Sequence, residues 1–78
     1  MMLKEIVRFN SACVADRNAG LVNAMSIGDY LEFRKFSPRF RDDYLIPMAA
    51  AIWSTPRVKM LDFPADAFIT FFENHRLI

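Results

Sequence analysis

Proline 47 sits inside a ten-residue apolar run, Tyr44 to Trp53 (YLIPMAAAIW), and this placement constrains the fold more than any other feature of the chain. Ser37-Pro38 upstream is a strong helix start. Serine caps free backbone N–H groups, and proline at the first helical position gives up an N–H that has no intrahelical partner anyway. Phe40, Tyr44, Met48, Ala51 and Ile52 then follow one stripe of that helix. Pro47 removes one bond of its ladder and crowds the carbonyl of Asp43, so the spacing predicts a kink near residues 43 to 47. From Tyr44 onward the helix is apolar all round, which predicts burial on most sides.

The remaining segments read as helices too. Leu3, Ile6, Val7, Cys13 and Val14 recur at helical spacing, with Asn10 on the same stripe and Lys4, Glu5, Arg8, Ser11 and Asp16 on the other side. This predicts an amphipathic helix from about residue 3 to 18, stopped by Asn18 and Gly20. Ser26 reads as the N-cap of a second helix. Met25 and Tyr30 stand at its staple positions, and Ile27, Tyr30, Leu31 and Arg34 lie along one face. Thr55-Pro56 repeats the cap-plus-proline start for a short helix to about Leu61. Pro64 opens the last helix, whose broad apolar face is Phe68, Ile69, Phe71 and Phe72. No segment shows sustained alternation or a hairpin turn. The expected fold is all-α: a compact bundle of four main helices plus one short helix, the third kinked at Pro47.

Length and charge exclude several functions. With 78 residues the chain makes one domain at most, residues 1–78, and 54% hydrophobic residues with eight phenylalanines exceed what one small core readily hides. A net charge of +1 with interspersed signs provides no basic field for nucleic acid, and no helix has the basic face of a DNA-recognition helix. The apolar run is half a membrane span, so no spanning segment is expected. The N-terminus MMLKEIVRF carries charges within its first eight residues and has no signal-peptide apolar region, and the single cysteine suits a reducing, cytoplasmic setting.

Catalytic chemistry is sparse. Glycine occurs only at 20 and 28, so neither a dinucleotide fingerprint nor a phosphate-binding P-loop is present. One histidine, His75, and one cysteine, Cys13, leave no expected metal ligands. His75 reads as a helix-terminal residue bonded to backbone carbonyls, and Cys13 as a small buried hydrophobe. Asp42 and Asp43 are adjacent and point about 100° apart on a helix, which does not suit an acid/base pair. No catalytic or cofactor-binding residue is expected in this chain.

The segment Tyr44 to Ser54 (YLIPMAAAIWS), followed by Met60 to Pro64 (MLDFP) and Phe71 to His75 (FFENH), resembles bacterial predicted NAD/FAD-binding proteins of the flavin-containing amine oxidase superfamily. Protoporphyrinogen oxidase-like and phytoene desaturase-like enzymes belong to the same group. The resemblance extends back through Ile27 to Phe40 and covers about two-thirds of the chain. It implies the helical part of a substrate domain, excised from a larger FAD-dependent oxidoreductase and not catalytic alone. The family's dinucleotide fingerprint and second flavin-contacting segment are both absent here. The resemblance therefore implies FAD for the parent, and a missing FAD-binding domain as the partner of this piece. Self-association through an exposed apolar surface is the other expected contact. Tyr44, Met48, Ile52 and Trp53, on the kinked apolar helix, are the expected wall of the substrate cavity. The competing expectation is a self-contained helical interaction module that presents Phe68, Phe71 or Phe72 as its groove.

Overall fold

Helix α1 (Met2–Asn18) is the longest element of the chain. The computed structural model describes residues 2–77, with only the backbone of Met2. Past Asn18 the chain leaves the helix through Gly20, whose φ of 78° is the left-handed conformation that glycine adopts without steric penalty. Gly20 N–H donates to the Arg17 carbonyl and Leu21 N–H to that of Asp16, each at 3.0 Å, so two otherwise unpaired helix-end carbonyls are satisfied.

Helix α2 (Ile27–Phe33) starts at Ser26, whose hydroxyl accepts from the Asp29 N–H at 3.0 Å. The third expected helix is a continuous run of three pieces: α3 (Pro38–Phe40), a π-turn (Arg41–Leu45) and α4 (Ile46–Trp53). Ser37 caps it through the Phe40 N–H at 3.1 Å. The π-turn is the physical form of the expected kink. Pro47 has no N–H for the Asp43 carbonyl, and the preceding turn widens so that Ile46 N–H reaches back to the Arg41 carbonyl. Ser54 then ends α4 in the left-handed region.

A short helix, α5 (Arg57–Met60), and a longer one, α6 (Ala65–Asn74), follow. Thr55 does not cap α5. Its hydroxyl donates instead to the Trp53 carbonyl at 3.1 Å, and Pro56 takes the cap position. The loop before α6 is strapped to the start of α2. Ile27 N–H donates to the Phe63 carbonyl at 2.7 Å, Gly28 N–H to Leu61 at 2.9 Å, and Ala65 N–H to Met25 at 2.9 Å. Gly28 permits this approach, since a Cβ there would stand 3.0 Å from the Leu61 carbonyl oxygen. An isolated bridge, Ser26 to Pro64, marks the same strap, and no strand occurs among the described residues. The fold is all-α, as expected.

Helix α6 packs on α1 and α2, α3 on α1, and α5 on α4. Phe9, Tyr30, Phe36 and Phe40 form one end of the core, with ring centroids from Phe9 to the other three at 5.6 to 6.4 Å. Trp53, Phe63, Phe68, Phe71 and Phe72 form the other end. Each fully buried phenylalanine contributes about 1.5–3 kcal/mol of transfer free energy.

The expected face of α1 is borne out in part: Cys13 is fully buried and Ile6 and Val14 pack against the core, but Leu3 and Val7 are 60% and 58% exposed, and Phe9, outside the expected stripe, is fully buried. Asp16, expected on the polar side, is buried. Its carboxylate accepts from Tyr30 Oη at 2.7 Å and from Arg34 Nε and Nη2 at 2.7 and 2.5 Å. These three bonds are what allow a charge on the inner face. The expected stripe of the third helix also shifts. Leu45, Ile46 and Ala49 are buried, while Ala51 and Ile52 are exposed, because the widened turn carries one extra residue and rotates everything after it. Burial on most sides of α4 is therefore not observed.

Candidate functional site

The four residues expected to wall a cavity lie along the outer and inner sides of the π-turn and α4. Tyr44 is half-buried with its ring 5.5 Å from that of Phe40. Met48 is half-buried against the core, and Ile52 is 41% exposed. Trp53 makes the most ring contacts of the four. Its ring centroid stands 4.4 Å from Phe71, 5.3 Å from Phe63, 5.6 Å from Phe68 and 6.1 Å from Phe72. Trp53 joins the end of α4, the loop before α6 and α6 itself in one aromatic cluster. His75 extends it, stacked on Phe71 at 4.0 Å. Its Nδ1 stands 2.9 Å from the Phe71 carbonyl, a pairing that needs the proton on Nδ1. His75 is thus bonded to backbone at the helix end, as its position suggested.

None of these four residues lines the cavity that opens beside α5. That cavity, of about 240 Å³, opens between the π-turn and α5 and is lined by Asp42, Ile46, Arg57, Val58 and Leu61. Ile46 forms a buried part of its wall, and Val58 is 73% exposed at its edge. Two charged side chains share the lining. Asp42 accepts from Arg41 Nε at 2.7 Å and Nη2 at 3.0 Å. Those bonds hold its carboxyl below the usual carboxylate range, with the Arg57 charge adding to the effect. Among the described residues no carboxylate makes an ion pair with Arg57. The sequence carried a signal for this place, Pro47 with the Arg41-Asp42 pair just before it, but only the widened turn brings Ile46 round to face α5.

The other titratable groups are structural. Burial pushes the Cys13 thiol up to about 11, which removes it as a nucleophile. Glu5 accepts from both the hydroxyl and the N–H of Ser37, at 2.6 and 2.7 Å, and these bonds lower its pKa. Arg8 lies 4.1 Å over the Phe36 ring and donates to the carbonyls of Arg34 and Lys35. Glu5 and Arg8 together tie α1 to the α2–α3 turn. Among the described residues no three or more His, Cys, Asp and Glu side chains stand where they could share a metal ion, and no helix is long and apolar enough to cross a membrane.

A flavin does not fit the described residues of this chain. The cavity is smaller than the roughly 300–1,000 Å³ usual for small-molecule sites. Neither glycine presents a phosphate cradle, since Gly20 ends a helix and Gly28 is packed against Leu61. Comparison of the chain with protein-family models, curated proteins and solved structures found no match.

Proposed function

We propose that this chain is the helical part of the substrate domain of a larger FAD-dependent oxidoreductase, of the amine oxidase or desaturase-like type that its sequence resembles. The observation that carries the reading is the packing around Trp53. The three segments of the resemblance, Tyr44–Ser54, Met60–Pro64 and Phe71–His75, are separate in sequence, and Trp53 holds them together through Phe63 and Phe71. A spacing kept by packing is the kind of feature that a substrate domain retains. In such a parent the flavin supplies the hydride chemistry, and this piece supplies an apolar wall and excludes water. Tyr44, Met48, Ile52 and Trp53 are the proposed wall, with no catalytic group among them. Ile52, Leu3, Val7 and Phe33 are exposed apolar side chains that the missing FAD-binding domain, or a second copy of the chain, would cover. The reducing cytoplasm is the proposed location.

The test begins with the coding DNA on either side of these 78 codons. A GxGxxG-encoding stretch in frame upstream, and a visible flavin spectrum in the purified full-length product, are the expected results. Within that product Ile52→Asp should raise KM and leave the flavin content unchanged. Stop codons flanking the segment, or a full-length product that takes up no FAD, would overturn the reading.

A second reading, a self-contained helical interaction module, is favoured by the closure of the core. Phe9, Phe40, Phe68 and Phe72 are all buried within this one chain, and no buried side-chain polar atom among the described residues lacks a partner. That burial also removes Phe68 and Phe72 as an exposed groove, so a module of this kind would use the Leu3 and Val7 face of α1.

A further inference from the structure

The cavity between the π-turn and α5 combines features that the aromatic cluster lacks. Its walls are aliphatic, from Ile46, Val58 and Leu61, and its two ionisable groups have unequal commitments. Asp42 is engaged by both Nε and Nη2 of Arg41, so its charge is largely compensated within the chain. Arg57, at the start of α5, makes no ion pair among the described residues. A neutral apolar ligand would fill the walls and leave the guanidinium without a partner. A cationic ligand would meet a carboxylate already bound by Arg41 and the positive charge of Arg57 beside it. A ligand with an apolar body and one carboxylate satisfies both halves.

We infer that this cavity binds a small monocarboxylic acid, with its hydrocarbon body against Ile46, Val58 and Leu61 and its carboxylate on the guanidinium of Arg57. The volume of about 240 Å³ suits a short aliphatic or single-ring acid. Guanidinium binds a carboxylate through two parallel N–H donors, so orientation as well as attraction comes from the one residue. None of Tyr44, Met48, Ile52 and Trp53 lines this site, and it does not depend on membership of a larger flavoprotein.

The test is a titration of the isotopically labelled 78-residue chain, followed by amide chemical shifts. Three matched probes are used: 3-phenylpropionate, its neutral amide 3-phenylpropanamide and the cation 3-phenylpropylamine. The acid should move the amides of Ile46, Val58 and Leu61 saturably, with an affinity at least about tenfold above that of the amide, the effect expected of one hydrogen-bonded charge. Arg57→Gln should remove that preference and retain weak binding of all three. Val58→Asp should abolish binding of the acid. Both positions are exposed, so both variants should keep the dispersed spectrum of the folded chain. Equal affinity for the three probes would overturn the inference. So would shifts confined to other residues, no shift at all, or an Arg57→Gln variant that still prefers the acid.

Discussion

Replacing Phe9 and Val7 one at a time tests which way α1 faces. Both are apolar and two residues apart, yet Phe9 is 1% exposed and Val7 is 58% exposed. Phe9→Ala empties a position in contact with three rings, at 6.4 Å from Tyr30, 5.7 Å from Phe36 and 5.6 Å from Phe40. Lost transfer energy and the residual cavity together make such a change worth about 3–5 kcal/mol. A domain of 78 residues has a total stability of about 4–12 kcal/mol. Phe9→Ala should therefore remove at least about a quarter of that stability, and unfolds the chain where the total lies at the low end of the range. Val7→Ala removes two methyl groups that already face water, and should change stability by less than about 0.5 kcal/mol. Phe9→Leu retains most of the volume and serves as the measurable intermediate, expected at about 1–2 kcal/mol. Urea unfolding followed by far-ultraviolet circular dichroism gives all three values on one scale. A Phe9→Leu variant as stable as the parent chain, or a Val7→Ala variant that loses as much as Phe9→Leu, would show that α1 packs with its other face inward and would refute the described core.

Three further outcomes follow from the same structure. Asp16 has its pKa lowered by its hydrogen bonds with Arg34 and then Tyr30, so it binds a proton more readily unfolded than folded. Its contribution is full above its ordinary value near 3.8 and is lost as pH falls below it. Urea midpoints of the parent chain should therefore drop on acidification below about pH 4, and those of Asp16→Asn should start lower and drop less steeply. Cys13, fully buried with its thiol pushed up to about 11, should resist a disulfide-exchange reagent at neutral pH and react only on adding denaturant; immediate labelling of the native chain would contradict its placement. Ser54 ends α4 with φ of 52°, and Ser54→Gly should relieve a left-handed conformation that costs roughly 1–2 kcal/mol for a residue with a Cβ, less the roughly 0.5–1 kcal/mol of added chain entropy in glycine. The net is a rise in Tm of a few degrees by calorimetry, and a fall would show that the Ser54 side chain contributes something that the backbone geometry does not reveal.

Local signals in this sequence were the legible ones. Ser26 and Ser37 act as caps because capping depends on one side chain and the next three N–H groups, all within reach of a short sequence window. Gly20 ends α1 for an equally local reason. Faces were harder. Leu3 and Val7 fit an apolar stripe with Cys13, but the buried side of α1 runs through Cys13 and Phe9. Larger side chains on the competing face bury more area, and periodicity counts apolar positions without weighing their size. Asp16 reads as surface by type. Its burial depends on Tyr30 and Arg34, which come from another helix and could be matched to it only in three dimensions.

The same distinction governs what can be said of function. Pro47 signalled a disturbance in the helix, and a disturbance occurred, but its form decides which residues face which way. A simple bend keeps the helical count, so Phe40, Tyr44, Met48, Ala51 and Ile52 would remain one stripe. A π-turn adds a residue, and one residue is about 100° of rotation. On the shifted count Phe40 is followed inward by Leu45, Ala49 and Trp53, with Ile46 buried beside them, while Ile52 is 41% exposed. Residues chosen as a cavity wall on the unrotated count are thus divided: Trp53 goes into the aromatic cluster and Ile52 out to solvent. If a partner domain completes a cavity on this helix, Ile52 is positioned to meet it from the surface, and Trp53 is positioned to hold the helix that carries Ile52. The rotation that separates those two roles also turns Ile46 toward Arg57 and Val58, so the cavity beside α5 is a direct consequence of the proline.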